Sequence, residues 1–146
     1  MSGKVSILMA ATLVLAGFSG TGSVNEDAKN GHFIPCPGSP NCVSTEARDD
    51  IHRIAPISYN MDFENARAKL IGVIRSMPRA KIVSEKNNSI SAEFTSAIFR
   101  FVDDVEFFID DNSKTIQFRS ASRVGYSDMG VNRKRMEEIR KRFYLK

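Results

Sequence analysis

Two cysteines, two histidines, two adjacent aspartates and a cluster of arginines are the residues of this 146-residue chain whose types and spacing could do chemistry. The cysteines close the segment Cys36-Pro37-Gly38-Ser39-Pro40-Asn41-Cys42. Pro37 and Pro40 bend and stiffen it, so the two thiols need little extra ordering to meet. An even cysteine count in an oxidising compartment favours a disulfide, whose work would be to pin an otherwise shapeless arm. A sharper alternative is a zinc site that adds His32 and His52. The spacings His-x3-Cys and Cys-x9-His match no standard structural zinc pattern, and the pair is not the Cys-x-x-Cys of a redox centre. The expectation is therefore a Cys36–Cys42 disulfide, with no metal and no cofactor.

Asp103 and Asp104 could serve a small hydrolase as acid or base. Neighbours on a strand point to opposite faces, so the two cannot act on one substrate as a carboxylate pair. No Ser/His/Asp arrangement accompanies them, and both histidines lie far upstream, so no catalytic residue is assigned. The densest constellation runs from Arg119 to Arg135. Gly125 and Gly130 allow a tight loop there, and Asp128 or Asn132 could cap the helix that follows. A helix N-terminus offers free amide hydrogens to an anion, and Arg119, Arg123 and Arg135 could add bidentate donors. The opposing reading is a self-satisfied loop in which Asp128 caps and the arginines pair with Asp103, Asp104 or Glu106. Both readings use the same residues and stay open. The candidate ligand-binding set is Arg119, Arg123, Asp128, Asn132 and Arg135, with Asp103 and Asp104.

Elements that could position this set follow from periodicity. Residues 24–50 are rich in Gly, Pro, Asn and Asp and read as an extended arm. Residues 51–59 hold a short strand that Pro56 restricts to a sheet edge. A helix is predicted over 62–77, with Phe63, Ala66, Leu70, Val73, Ile74 and Met77 recurring at three and four; Asn60 or Asp62 starts it and Pro78 ends it. Four strands follow, over 81–86, 89–98, 101–109 and 114–124, and a last helix over 131–144 carries Met136, Ile139 and Phe143 on one stripe. In this reading Ile98 and Phe101 face the core. A turn at 110–113 sets Ile109 against Lys114, Phe107 against Ile116, Val105 against Phe118 and Asp103 against Ser120. The other face then pairs Asp104 with Arg119 and Arg100 with Arg123. A carboxylate at Asp103, on the core side, must be hydrogen-bonded or lie at the core's edge. The order (β)-α-β-β-β-β-α describes an α+β fold, an antiparallel four- to five-stranded meander with two helices on one face.

Charge and the N-terminus bound the setting. Residues 24–113 carry 10 basic and 14 acidic side chains, a balance of −4, whereas residues 114–146 carry 10 basic and 3 acidic, a balance of +7. The basic end suggests an anionic partner, such as a phosphorylated glycan, an anionic lipid headgroup or an acidic protein surface, or simply a solvated helix face. Nucleic acid is excluded by compartment and by the lack of interleaved stacking aromatics. Lys4 followed by the apolar run Val5–Ala16 and by small residues is the pattern of a secretory signal peptide, too short for a bilayer span of about 20 residues. The division expected is a signal over 1–23, an arm over 24–50 and an α+β domain over 51–146. Leu15-Ala16-Gly17 resembles the start of a lipobox, but position 18 is Phe and offers no thiol to lipidate. The mature chain is expected in the periplasm, free of a lipid anchor and not integral to the membrane.

Several segments together carry a family resemblance. They are Cys36 with Ser39-Pro40-Asn41-Cys42-Val43-Ser44, then His52-Arg53-Ile54-Ala55-Pro56, then Phe101-Val102-Asp103-Asp104-Val105-Glu106-Phe107, then residues 119–135. The chain resembles, over about 34–143, the bacterial family called domain of unknown function 1499. The resemblance implies an envelope location, sometimes as a lipoprotein, a pattern from which Phe18 departs. It brings no activity and assigns no residue a role. The function expected is an exported cell-envelope protein that binds an anionic ligand or partner without catalysis. The alternatives are a small periplasmic hydrolase using Asp103 or Asp104, or a structural subunit of an envelope complex.

Overall fold

The computed structural model describes residues 31–145; the signal segment, Phe18 and the first part of the arm lie outside them. Helix α1 (Phe63–Ser76) begins where Asp62 accepts a hydrogen bond from the Asn65 amide at 2.9 Å, and it buries Ala66, Leu70, Ile71, Val73 and Ile74. Pro78 cannot continue it. Strands β3 (Ala80–Glu85), β4 (Ser89–Thr95), β5 (Val102–Asp110) and β6 (Thr115–Ser122) form the antiparallel meander, and helix α2 (Val131–Tyr144) ends the domain. Two short strands, β1 (Cys42–Ser44) and β2 (Ile57–Ser58), both pair with the free edge of β6. The six strands make one open sheet in the order β1-β6-β5-β4-β3, with β2 also on β6.

Both helices cover one face. α1 packs across β3 and against α2, which lies over β6 and β1. Alternate residues of the strands point into this layer. Ile90, Ala92, Phe94, Val105, Phe107, Ile109, Ile116 and Phe118 meet Leu70, Ile74, Met136, Ile139 and Phe143 in one continuous core. The arm crosses the other face. Gly31 has φ +79, and a Cβ there would sit 2.8 Å from the Phe108 ring, so this position requires glycine twice over. Phe33 is buried beside it, with its amide donating to Glu46 at 2.8 Å.

Three expectations needed correction. The β5–β6 register is shifted by two residues, with Ile109 opposite Ile116, Phe107 opposite Phe118, Val105 opposite Ser120 and Asp103 opposite Ser122. The turn falls one residue later because the Asp110 carboxylate accepts from the Asn112 amide and the Ser113 hydroxyl, and Lys114 takes the left-handed φ of 53°. A shift of two keeps every side chain on its face, so the apolar match did not expose the error. Second, β4 stops at Thr95, and the chain turns back through Arg100 at φ 57°. Ile98 and Phe101, expected in the core, are therefore exposed. Third, the arm contains a strand: β1 pairs Cys42 with Ala121 and Ser44 with Arg119.

The Cys36–Cys42 disulfide is present, with its Cα atoms 5.7 Å apart. His52 is buried and locks this loop from behind. Its Nδ1 lies 2.7 Å from Asp49 Oδ1 and its Nε2 lies 3.0 Å from the Ser39 carbonyl. His32 is exposed and lies 2.9 Å from Glu46, and both thiols of the alternative zinc set are taken up by the disulfide.

Candidate functional site

The candidate residues divide between the two faces of the sheet. On the arm side, Arg123 Nη2 contacts Asp104 at 2.7 Å and Glu93 at 2.5 Å. These hydrogen bonds, Asp104's first, hold its guanidinium above its ordinary range. Arg119 lies opposite Glu106, with Nη1 3.9 Å from its carboxylate. Burial pulls the Arg119 guanidinium below its ordinary value, opposed by attraction to Glu106 and Asp104. Among the described residues Arg119 Nε finds no hydrogen-bond partner.

On the helix side, buried Asp103 and Asn132 and half-buried Asp128 and Arg135 come together in one network. Arg135 Nη2 donates to Asp103 at 2.5 Å, and its Nη1 donates to Asn132 Oδ1 at 2.8 Å. Its guanidinium stacks 4.8 Å over the Phe94 ring. Asn132, fully buried, is the hub. Its Oδ1 also accepts from Ser120, and its Nδ2 donates to Asp128, Ser122 and the Asn41 carbonyl at 2.8, 2.9 and 3.2 Å. Asp128 caps α2 from two residues before Gly130, accepting from the Gly130 amide at 2.9 Å and the Asn132 amide at 2.8 Å. Asn41, beside the disulfide, completes the circuit through Nδ2, which donates to the Gly125 carbonyl. Asp103 thus meets the burial requirement by pairing with Arg135. Asp104 points away to Arg123, so the two aspartates occupy different environments.

Above this network, at the end of the sheet, lies a cleft of about 360 Å³ between the 96–101 and 123–131 loops. Asp103, Ser122 and Asp128 lie along its polar side; Phe101, Val124 and Val131 supply apolar walls. The two loops are joined at their base, where the Arg123 amide donates to the Val102 carbonyl. Arg79 and Arg100 flank the shorter loop. Arg79 Nε donates to the Thr95 carbonyl, and neither arginine has a carboxylate partner among the described residues. Two of the seven sequence candidates, Asp103 and Asp128, line the cleft directly. Asn132 and Arg135 support it from beneath, and Arg119, Arg123 and Asp104 do not reach it. Sequence reasoning missed Phe101, Val124 and Val131 as lining, together with Arg79 and Arg100. The signal was available in Ala97-Ile98-Phe99-Arg100-Phe101, an apolar run that breaks strand phase.

A larger hollow of about 600 Å³ runs under the arm, along residues 32–36 and 44–49. Glu46, on its lining, accepts from the Phe33 amide and contacts His32, which holds the arm in place.

A family model described as protein of unknown function (DUF1499) matches residues 32–143. No curated protein matches the chain.

Proposed function

The chain belongs to the DUF1499 family, and on that footing we propose that it is an exported cell-envelope protein that binds an anionic amphiphile without catalysis, in the cleft at the end of the sheet. The observation that carries this reading is the cleft itself. Apolar walls face a polar side; Arg100 directly precedes the lining residue Phe101, Arg79 is held to Thr95 beside the lining residue Ser96, and neither arginine has a carboxylate partner among the described residues. An acyl or other apolar group fits Phe101, Val124 and Val131, while Arg79 and Arg100 attract an acidic head. Export is supported by the signal-like start of the sequence and by the disulfide. Among the described residues no helix is long and apolar enough to cross a membrane.

The arginines Arg119, Arg123 and Arg135 serve the fold in this reading, because each faces a carboxylate. A hydrolytic role for the aspartates is disfavoured by the same pairing. Asp103 is held by Arg135 and Asp104 by Arg123, so neither carboxylate stands free for proton transfer.

Native mass spectrometry of the protein purified from the periplasm tests the reading. The wild type is expected to carry an acidic amphiphile, or to take up short-chain phosphatidylglycerol. Val124→Glu, which sets a negative charge on the exposed cleft wall, should lose it, while Arg119→Ala should keep it. Retention in Val124→Glu with loss in Arg119→Ala would move the site to the other face of the sheet.

A further inference from the structure

The loops that form the cleft also project apolar side chains past it. Ile98 is 82% exposed, Phe99 73%, Tyr126 75% and Met129 88%. Phe99 stacks on Phe101, ring centroids 5.6 Å apart, so one tip is a braced apolar knob rather than a loose chain. The cleft joins the two loops, and the tips therefore sit at one end of the molecule. Exposed apolar side chains gathered at one end of a domain in this way mark an interaction surface.

The backbone supports the same end. Among the described residues four non-glycine residues have positive φ: Arg79 at 56°, Arg100 at 57°, Lys114 at 53° and Met129 at 54°. Lys114 belongs to the β5–β6 turn at the far end; the other three belong to the cleft end. Left-handed geometry costs an ordinary residue about 1–2 kcal/mol and persists where the surroundings impose it, often at functional positions.

Shape and charge select the occupant. The tips are apolar and largely exposed, which suits insertion into a soft surface better than seating in a rigid groove. Residues 96–101 contain no acid, and Asp128, the one acid of the other loop, is occupied as a cap. Arg100 directly follows Phe99, and Arg79 is held to Thr95 at the base of the same loop, so the end carries basic charge. Resting on the reading of the cleft as an amphiphile site, we propose that this end docks on the surface of an anionic bilayer. Ile98, Phe99, Tyr126 and Met129 enter the headgroup boundary, Arg79 and Arg100 meet the phosphates, and the cleft opens onto the lipid. No part of α1 or α2 enters the membrane, and attachment is reversible.

The oxidised mature protein is tested by sedimentation with vesicles of phosphatidylcholine containing phosphatidylglycerol, and with vesicles of phosphatidylcholine alone. Binding is expected to the first, to weaken with salt, and to be far weaker to the second. Phe99→Glu with Met129→Glu should weaken it at least about tenfold. Arg79→Ala with Arg100→Ala should weaken it about fivefold per arginine. Met129→Gly removes one tip and relaxes its backbone, so it should lower binding while melting no earlier than wild type; this separates docking from folding. Lys134→Ala with Lys141→Ala, on the outer face of α2, should bind vesicles like wild type. If that pair abolishes binding and Phe99→Glu with Met129→Glu does not, the proposal is overturned in favour of simple adhesion by the basic helix. Monomeric short-chain phosphatidylglycerol separates the two layers of the idea. Binding of the monomer without binding to vesicles overturns bilayer docking and leaves the cleft reading intact, whereas binding of neither overturns both.

Discussion

Arg135→Ala is expected to destabilise the domain by about 3–5 kcal/mol, the cost of leaving a buried carboxylate without its partner. Asp103 and Arg135 have side chains only 8% and 10% exposed, on the helix side of the sheet. Removal of the guanidinium strands Asp103 and withdraws a donor from Asn132. Total stability of a domain this size is about 5–15 kcal/mol, so urea unfolding should show a large fall in midpoint. The second half of the experiment distinguishes the charge from the space it fills. Arg135→Met with Asp103→Leu replaces both ions by apolar groups and should recover more than half of the loss. Recovery is plausible because Asn132 Oδ1 keeps its hydrogen bond from Ser120. If the double variant is as unstable as Arg135→Ala, the pair matters for shape rather than for charge. The two substitutions touch each other, so their effects are not additive and the full double-mutant cycle is required.

Loss of the disulfide is the next largest effect. Cys36→Ala with Cys42→Ala should cost about 2 kcal/mol, the loop-closure entropy of a bridge this short. The damage should not stay in the arm. Asn41 lies inside the bridged segment, and its carbonyl accepts from the Ser122 amide and from Asn132, while its side chain donates to Gly125. Reduction or removal of the bridge should therefore speed amide exchange at residues 122–125, at the end of the neighbouring strand β6 and in the loop after it. Unchanged exchange there, with stability lost, would confine the disulfide to the arm. The bridge thus reaches the site: the segment it closes holds Asn41 against Ser122, Asn132 and Gly125, on one side of the cleft.

Much of this architecture could be read from the residues in order. Both helices follow from spacing at three and four, and Asp62 with Pro78 marks the bounds of α1 within a residue. The meander follows from alternation, and Asp103 announces itself as a carboxylate on a core face that must find a partner. Other features depend on local turn chemistry that periodicity does not encode. The β5–β6 register turns on the side chain of Asp110 and the left-handed backbone of Lys114, and a slip of two preserves every facing pattern. Ile98 and Phe101 fit the alternation of the core, yet the turn at Arg100 puts both outside. β1 was hidden because its three residues gain their order from β6 and the disulfide rather than from their own propensity. The arginines illustrate the remaining limit. Arg119, Arg123 and Arg135 share a segment and a charge, but strand and helix geometry sends the first two to one face and the third to the other, each toward a carboxylate.

The position of the working surface is tested most directly by amide hydrogen exchange on the oxidised protein with and without short-chain phosphatidylglycerol. Slowing confined to residues 96–101 and 123–131, with the outer face of α2 and the Arg119–Glu106 region unchanged, is the expected result. Slowing centred on α2 at residues 133–141 or on the Arg119 face, with both cleft loops unaffected, would contradict a site at the end of the sheet.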